Sequence, residues 1–263
     1  MKRFVLLALA GLFAGAAAAQ SAPDSWPDIK RQLFKGATIA EDAAFVSLDA
    51  PARAEDAALT PVTMIVRKVA GDPRRVVKLS LVIDENPVPL AGEFTLGRHA
   101  DVTSIATRVR VDAYTNMRVI AELSDGSLHM TKTFVKAAGG CSAPASKNPD
   151  EANAELGKMK LRVIDDAKPG RGDFVVMIRH PNYSGLQMDQ LTRLYTPARY
   201  VDHLAVYQGG ELIFAVEGGN SISENPNFRF NFARSGDNIL RVEASDIDNT
   251  HFKASWPLDR GRS

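Results

Sequence analysis

Cysteine is nearly absent from this chain: Cys141, near the middle, is the only one in 263 residues. A lone thiol excludes an intrachain disulfide, so the group must be free, buried, modified or joined to another molecule. Tryptophan is also scarce, with Trp26 and Trp256 near opposite ends. Neither sign of charge is in excess, at 32 Lys and Arg against 31 Asp and Glu, which removes any general electrostatic case for nucleic acid. No glycine fingerprint supports a dinucleotide-binding unit. His99 and His129 have no nucleophile or acid partner nearby in sequence, so no hydrolytic constellation is assigned. Asp84, Glu85, Asp101 and Asp112 follow no repeating ligand spacing and read as turn and solvent-face residues, not a metal site.

One long apolar run is present. Met1-Lys2-Arg3 precedes the stretch Phe4 to Ala19, and the character changes at Gln20. This has the basic start, apolar middle and small-residue end of a secretory signal peptide over residues 1–19, with Ala17 and Ala19 as the small residues read at cleavage. A soluble, exported mature protein is expected. In an oxidising compartment an exposed idle thiol is a liability, so the solitary Cys141 gains interest as a purposeful one.

The first half opens on a short helix, with Trp26, Ile29, Leu33 and Phe34 on one face, Pro27 in the first turn and Gly36 as terminator. Thereafter the period is two. Strands are expected at 45–48, 61–67, 76–83, 93–96, 102–111, 117–123 and 128–135, with Asn86-Pro87 as a turn and Asp125-Gly126 as a hairpin. Gly139-Gly140-Cys141 follows. Two glycines with little bulk read as a mobile arm, although a lone cysteine is also commonly a small buried hydrophobe.

Residues 142–155 are rich in alanine, serine, proline, asparagine and charge, and read as a linker. The second half, 156–258, again alternates. Strands are expected at 158–164, 173–178, 200–207, 211–216, 226–232, 239–244 and 252–256, with Gly209-Gly210 as a hairpin. Phe228, Phe230 and Phe232 form a core stripe at strand spacing. The loop His180-Pro181-Asn182-Tyr183-Ser184-Gly185 follows a central strand and is a candidate docking loop through His180, Pro181, Tyr183 and Gly185. Such spacing leaves almost no room for crossover helices, so the expected class is all-β: two antiparallel sandwiches in tandem, residues 20–141 and 156–258, after a short N-terminal helix.

Particular motifs carry a closer likeness. Asn86-Pro87-Val88-Pro89, the 102–111 strand, Ala121-Glu122-Leu123-Ser124-Asp125-Gly126 and Gly139-Gly140-Cys141 resemble the SoxY family, the cysteine-bearing subunit of a periplasmic sulfur-oxidation carrier. Phe174-Val175-Val176-Met177, Arg179-His180-Pro181 with Gly185, the 197–201 segment, and Gly236-Asp237 through Trp256-Pro257 resemble its partner family, SoxZ. Their order on one polypeptide is similar to fused SoxYZ-like carriers associated with quinoprotein dehydrogenases.

The resemblance implies two immunoglobulin-like sandwiches, periplasmic location, and covalent attachment of sulfur intermediates at Cys141 on a flexible arm of Gly139 and Gly140. It implies no cofactor, no metal and no catalytic centre. Expected partners are periplasmic sulfur-oxidation enzymes, c-type cytochromes or a quinoprotein dehydrogenase, besides the packing of one domain on the other. Two departures matter. Ser142-Ala143 stand where the family pattern has trailing glycines, and a whole domain follows, so both ends of the arm are fixed and it sweeps less volume. These departures keep open a non-catalytic accessory or docking role beside a periplasmic quinoprotein alcohol dehydrogenase.

Overall fold

The structure is a computed structural model and describes residues 24–144, 154–165, 170–189, 192–234 and 237–258. The expected signal peptide, most of the linker and Gly236 lie outside the described residues.

Helix α1, Trp26–Phe34, carries Pro27 in its first turn and ends where Lys35 and Gly36 take positive φ. The strands of the first half are β1 Ile39–Glu41, β2 Val46–Asp49, β3 Thr60–Val66, β4 Val76–Ile83, β5 Leu90–Leu96, β6 Ser104–Val109, β7 Thr115–Leu123 and β8 Leu128–Val135. Those of the second half are β9 Met159–Asp165, β10 Arg171–Ile178, β11 Val201–Gln208, β12 Glu211–Gly218, β13 Asn227–Ala233, β14 Ile239–Asp246 and β15 His251–Pro257. Alternation set most of these elements, because one face of each strand must meet the opposite sheet. Strand β1 is the exception. It is only three residues long and pairs in parallel with β8, too short for periodicity to register.

The all-β, immunoglobulin-like expectation holds, and the two sandwiches are joined edge to edge. Among the described residues, one sheet has nine strands in the order β1-β8-β7-β4-β5-β12-β11-β14-β15, and the other six in the order β2-β3-β6-β13-β10-β9. The halves therefore share both sheets, through antiparallel β5–β12 and β6–β13 ladders. At the β5 exit the backbones approach so closely that a Cβ on Gly97 would lie 1.7 Å from the Leu212 carbonyl oxygen. One apolar core runs through the junction, from Met64, Leu79 and Phe94 to Phe174, Phe214 and Val242. Phe228, Phe230 and Phe232 are all buried in it, and Phe94 meets Phe228 across the junction with ring centroids 6.3 Å apart.

Asp84 departs from its expected solvent-face role. It is buried and accepts hydrogen bonds from Arg118 Nε and Nη2 at 2.8–2.9 Å, under the Trp26 ring, whose centroid is 4.2 Å from the guanidinium carbon. A paired carboxylate and guanidinium satisfy each other in a place where either alone would be costly. Asp101, half-buried, likewise pairs with Lys68 and Arg171.

Candidate functional site

The start of β3, the end of β6, the end of β10 and the start of β13 converge at one pole, as their registers require: Thr60 faces Val109, Ala106 faces Arg229, and Val176 faces Phe228. The chain leaving β6 there, Arg110-Val111-Asp112, forms the floor of the site. Arg110 N–H donates to Ser221 at 2.7 Å and Val111 N–H to Ala57 at 2.8 Å.

Against this floor lies the cysteine segment. Gly139 N–H donates to the Asp112 carbonyl at 2.7 Å and Gly140 N–H to that of Val111 at 3.0 Å. Gly139 needs its positive φ of 74°. Gly140 is required for a different reason: a Cβ there would stand 2.1 Å from the Ala57 carbonyl oxygen and 2.7 Å from that of Val111. The expected mobile arm is thus a docked segment, because the absent side chains permit close backbone approach and the N–H groups find carbonyl partners. Cys141 itself is a free, buried thiol. Burial, then the nearby Asp112 carboxylate, pushes its pKa up to about 11 against the opposing influence of Arg110.

The second half closes over the segment. Ser184 Oγ donates to the Cys141 carbonyl at 2.6 Å, and Gln187 Nε2 donates to the Ala143 carbonyl at 3.0 Å. The loop proposed from sequence to receive a partner therefore receives the chain's own cysteine segment. Its named residues are less available than expected. His180 and Pro181 are buried, and Tyr183 and Gly185 are half-buried. His180 Nδ1 accepts from Asn182 N–H at 3.0 Å, which leaves the proton on Nε2, facing Asp246 at 3.3 Å. Burial holds its pKa below the ordinary histidine value. Gly185 takes φ +85°, and a Cβ would meet Ala198 Cβ at 3.1 Å. These residues shape the loop, and Ser184 and Gln187 make the contact.

Three further groups tie the seam together, and sequence reading did not single them out as such. Asn86, placed in a turn by its Asn-Pro pair, is buried; its Nδ2 donates to the Arg110 carbonyl at 2.8 Å and Ser221 Oγ at 2.9 Å. Its Oδ1 accepts from Asp112 N–H at 2.9 Å. Asn220 Nδ2 donates to the Ser184 carbonyl at 3.2 Å. Arg110 is 2% exposed, and its Nη1 donates to the carbonyls of Asn220 at 3.3 Å and Ile222 at 2.6 Å. Arg110 follows the cleanly alternating β6, and sequence does not separate a buried arginine at a strand exit from an outward-facing one. Among the described residues, no three His, Cys, Asp or Glu side chains group as metal ligands.

Fold and site define a class: a double β-sandwich whose halves share both sheets and enclose a solitary thiol at their seam. Residues 30–141 match the family described as sulfur oxidation protein SoxY, a match that ends on Cys141, and residues 161–257 match sulphur oxidation protein SoxZ. The chain is a SoxY domain followed by a SoxZ domain on one polypeptide, a fused SoxYZ-like protein of the sulfur-oxidation carrier type. Among solved structures it is similar to the sulfur carrier protein SoxY from Chlorobium limicola f thiosulfatophilum, at 21% identity over 43% of this chain and 91% of that one, with a TM-score of 0.34. Comparison with curated proteins gave no match.

Proposed function

We propose that this protein is an exported, periplasmic carrier that holds sulfur intermediates covalently on Cys141 and presents them to partner enzymes. The observation that carries the reading is the placement of the one thiol: it closes the SoxY match and is clasped by Ser184 of the SoxZ half. The resting thiol is buried and protonated at neutral pH, so loading requires the segment from Gly139 to Ala143 to leave its floor. Its attachments are a few hydrogen bonds, each contributing about 1 kcal/mol net, which suits a segment that opens without unfolding the sandwich. Gly139, with nothing within 4 Å of a Cβ position, is a natural pivot.

Intact-mass spectrometry of native protein, and of protein exposed to thiosulfate with sulfur-oxidation enzymes, tests this reading. Added sulfur mass on wild type and none on Cys141→Ser is expected. An unmodified Cys141 in a host whose sulfur oxidation proceeds equally with Cys141→Ser would overturn it.

The anchoring of the thiol on both flanks favours one second reading, a non-covalent accessory of a periplasmic quinoprotein alcohol dehydrogenase. Co-purification of such a dehydrogenase with wild type and Cys141→Ser alike would support it. Function that is lost with the thiol alone would oppose it.

A further inference from the structure

Buried guanidinium groups have their hydrogen-bonding capacity filled in native proteins, and an exception calls for a physical reason. Arg110 is such an exception. Its Nη1 serves two carbonyls, whereas its Nε is buried without a hydrogen-bond partner among the described residues. The titratable groups that bear on this guanidinium are the Cys141 thiol and the Glu224 carboxylate.

A chain of contacts links Arg110 to the backbone of the cysteine segment. Arg110 Nη1 holds the Asn220 carbonyl, Asn220 Nδ2 holds the Ser184 carbonyl, and Ser184 Oγ holds the Cys141 carbonyl. Gly140 returns to Val111, the residue next to Arg110. The circuit joins both halves around one cation with a spare donor and one sulfur. A neutral thiol adds no counter-charge to that of Glu224. A sulfur group ending in a negative charge would.

We propose that Arg110 is the positioning residue for an anionic sulfur adduct on Cys141, so that the docked state selects charged adducts over neutral ones. The proposal rests on the reading of Cys141 as the attachment point. It adds that the seam distinguishes a charged sulfur, such as a persulfide or S-thiosulfonate anion, from an uncharged disulfide. Loading would then return the segment to the seam in a tighter state than the bare thiol, with Arg110 Nε donating to the adduct.

The test compares two adducts on the full chain. Protein opened in denaturant is treated with tetrathionate: the Cys141 thiolate attacks a central sulfur, its proton having gone to solvent, and thiosulfate leaves. The product is a singly charged S-thiosulfonate, with the thiolate sulfur oxidised and the broken S–S bond reduced. A parallel sample takes methyl methanethiosulfonate, which forms the neutral methyl disulfide and releases methanesulfinate. After refolding, each adduct is removed with a trialkylphosphine, and the native rate is referred to the rate of the same adduct in denaturant. This ratio cancels the intrinsic reactivity of each group.

Wild type is expected to protect the charged adduct roughly tenfold or more better than the neutral one, the scale of a buried hydrogen bond to a charged group. Arg110→Gln is expected to bring that preference to about one, and Arg110→Lys to restore part of it. A merely structural role for Arg110 would shift both adducts together. Equal protection in wild type, a charged adduct that blocks refolding, or a preference that survives Arg110→Gln overturns the proposal. Should Arg110→Gln fail to fold, the wild-type comparison and Arg110→Lys decide. Loading in denaturant does not depend on any biological carrier role. A failed preference therefore leaves the sulfur-carrier reading standing, and absence of native sulfur on Cys141 defeats that reading on its own.

Discussion

Ser184 of the second half donates its hydroxyl proton to the Cys141 carbonyl of the first half at 2.6 Å, across 43 residues of chain. Both groups are buried, so the bond joins the SoxZ half to the sulfur-bearing segment where water does not compete. It is one of the contacts that hold the thiol-bearing segment on its floor.

Removal of that bond gives the first prediction. Ser184→Ala leaves the Cys141 carbonyl without this donor and should lower the cost of local opening by about 1 kcal/mol. Thiol labelling by a maleimide at pH 8 should accelerate roughly fivefold, with little change in the global melting temperature. An unchanged labelling rate would mean that this contact does not gate the segment.

The raised thiol pKa gives a second. Between the ordinary thiol value of 9.0 and about 11, the folded protein keeps a proton that the unfolded chain has begun to release. Stability associated with Cys141 is therefore fully present below pH 9 and is lost as pH rises through about 11. The loss should be on the order of 2–3 kcal/mol. Denaturant titrations from pH 8 to 11.5 on wild type and Cys141→Ser would reveal it as a difference between the two, since lysines and tyrosines titrate in both.

Glycine substitution should separate packing from conformation. Gly140→Ala places a carbon 2.1 Å from the Ala57 carbonyl oxygen and cannot dock without moving the backbone. A cost of about 1–3 kcal/mol and a thiol exposed in the native state are expected. Gly139→Ala meets no atom within 4 Å and bears only the positive-φ penalty, about 1–2 kcal/mol. Thermal melts with parallel thiol labelling would check the order. Equal exposure of the thiol in both variants would contradict it.

The Asp84–Arg118 pair, packed under Trp26, makes no hydrogen bond to the cysteine segment among the described residues and serves as a separate stability test. Asp84→Ala leaves Arg118, 2% exposed in its side chain, with only the longer 3.9 Å pairing to Glu41. Destabilisation of about 3–5 kcal/mol is expected. Trp26 stacks on that guanidinium, so its fluorescence should report the change. Thiol labelling in the surviving native fraction should stay close to wild type.

The sequence by itself determined the alternating strands, the Asp125-Gly126 and Gly209-Gly210 hairpins, the buried Phe228-Phe230-Phe232 stripe and the tandem order of the two halves. These follow from local rules: side chains alternate along a strand, and glycine supplies the turn. The tertiary structure decided everything that depended on partners far along the chain. Asp84 lies in the turn after β4 as expected but is a buried ion pair and not a solvent-face residue because Arg118 lies beside it, and Asn86 is a seam residue because its side chain meets Ser221, 135 positions away. Gly139 and Gly140 likewise have the same backbone freedom on paper in an arm or in a docked segment. The carbonyls of Val111 and Asp112, with Ser184 above them, decide between the two, since a backbone N–H brought out of water requires an acceptor and these are in reach.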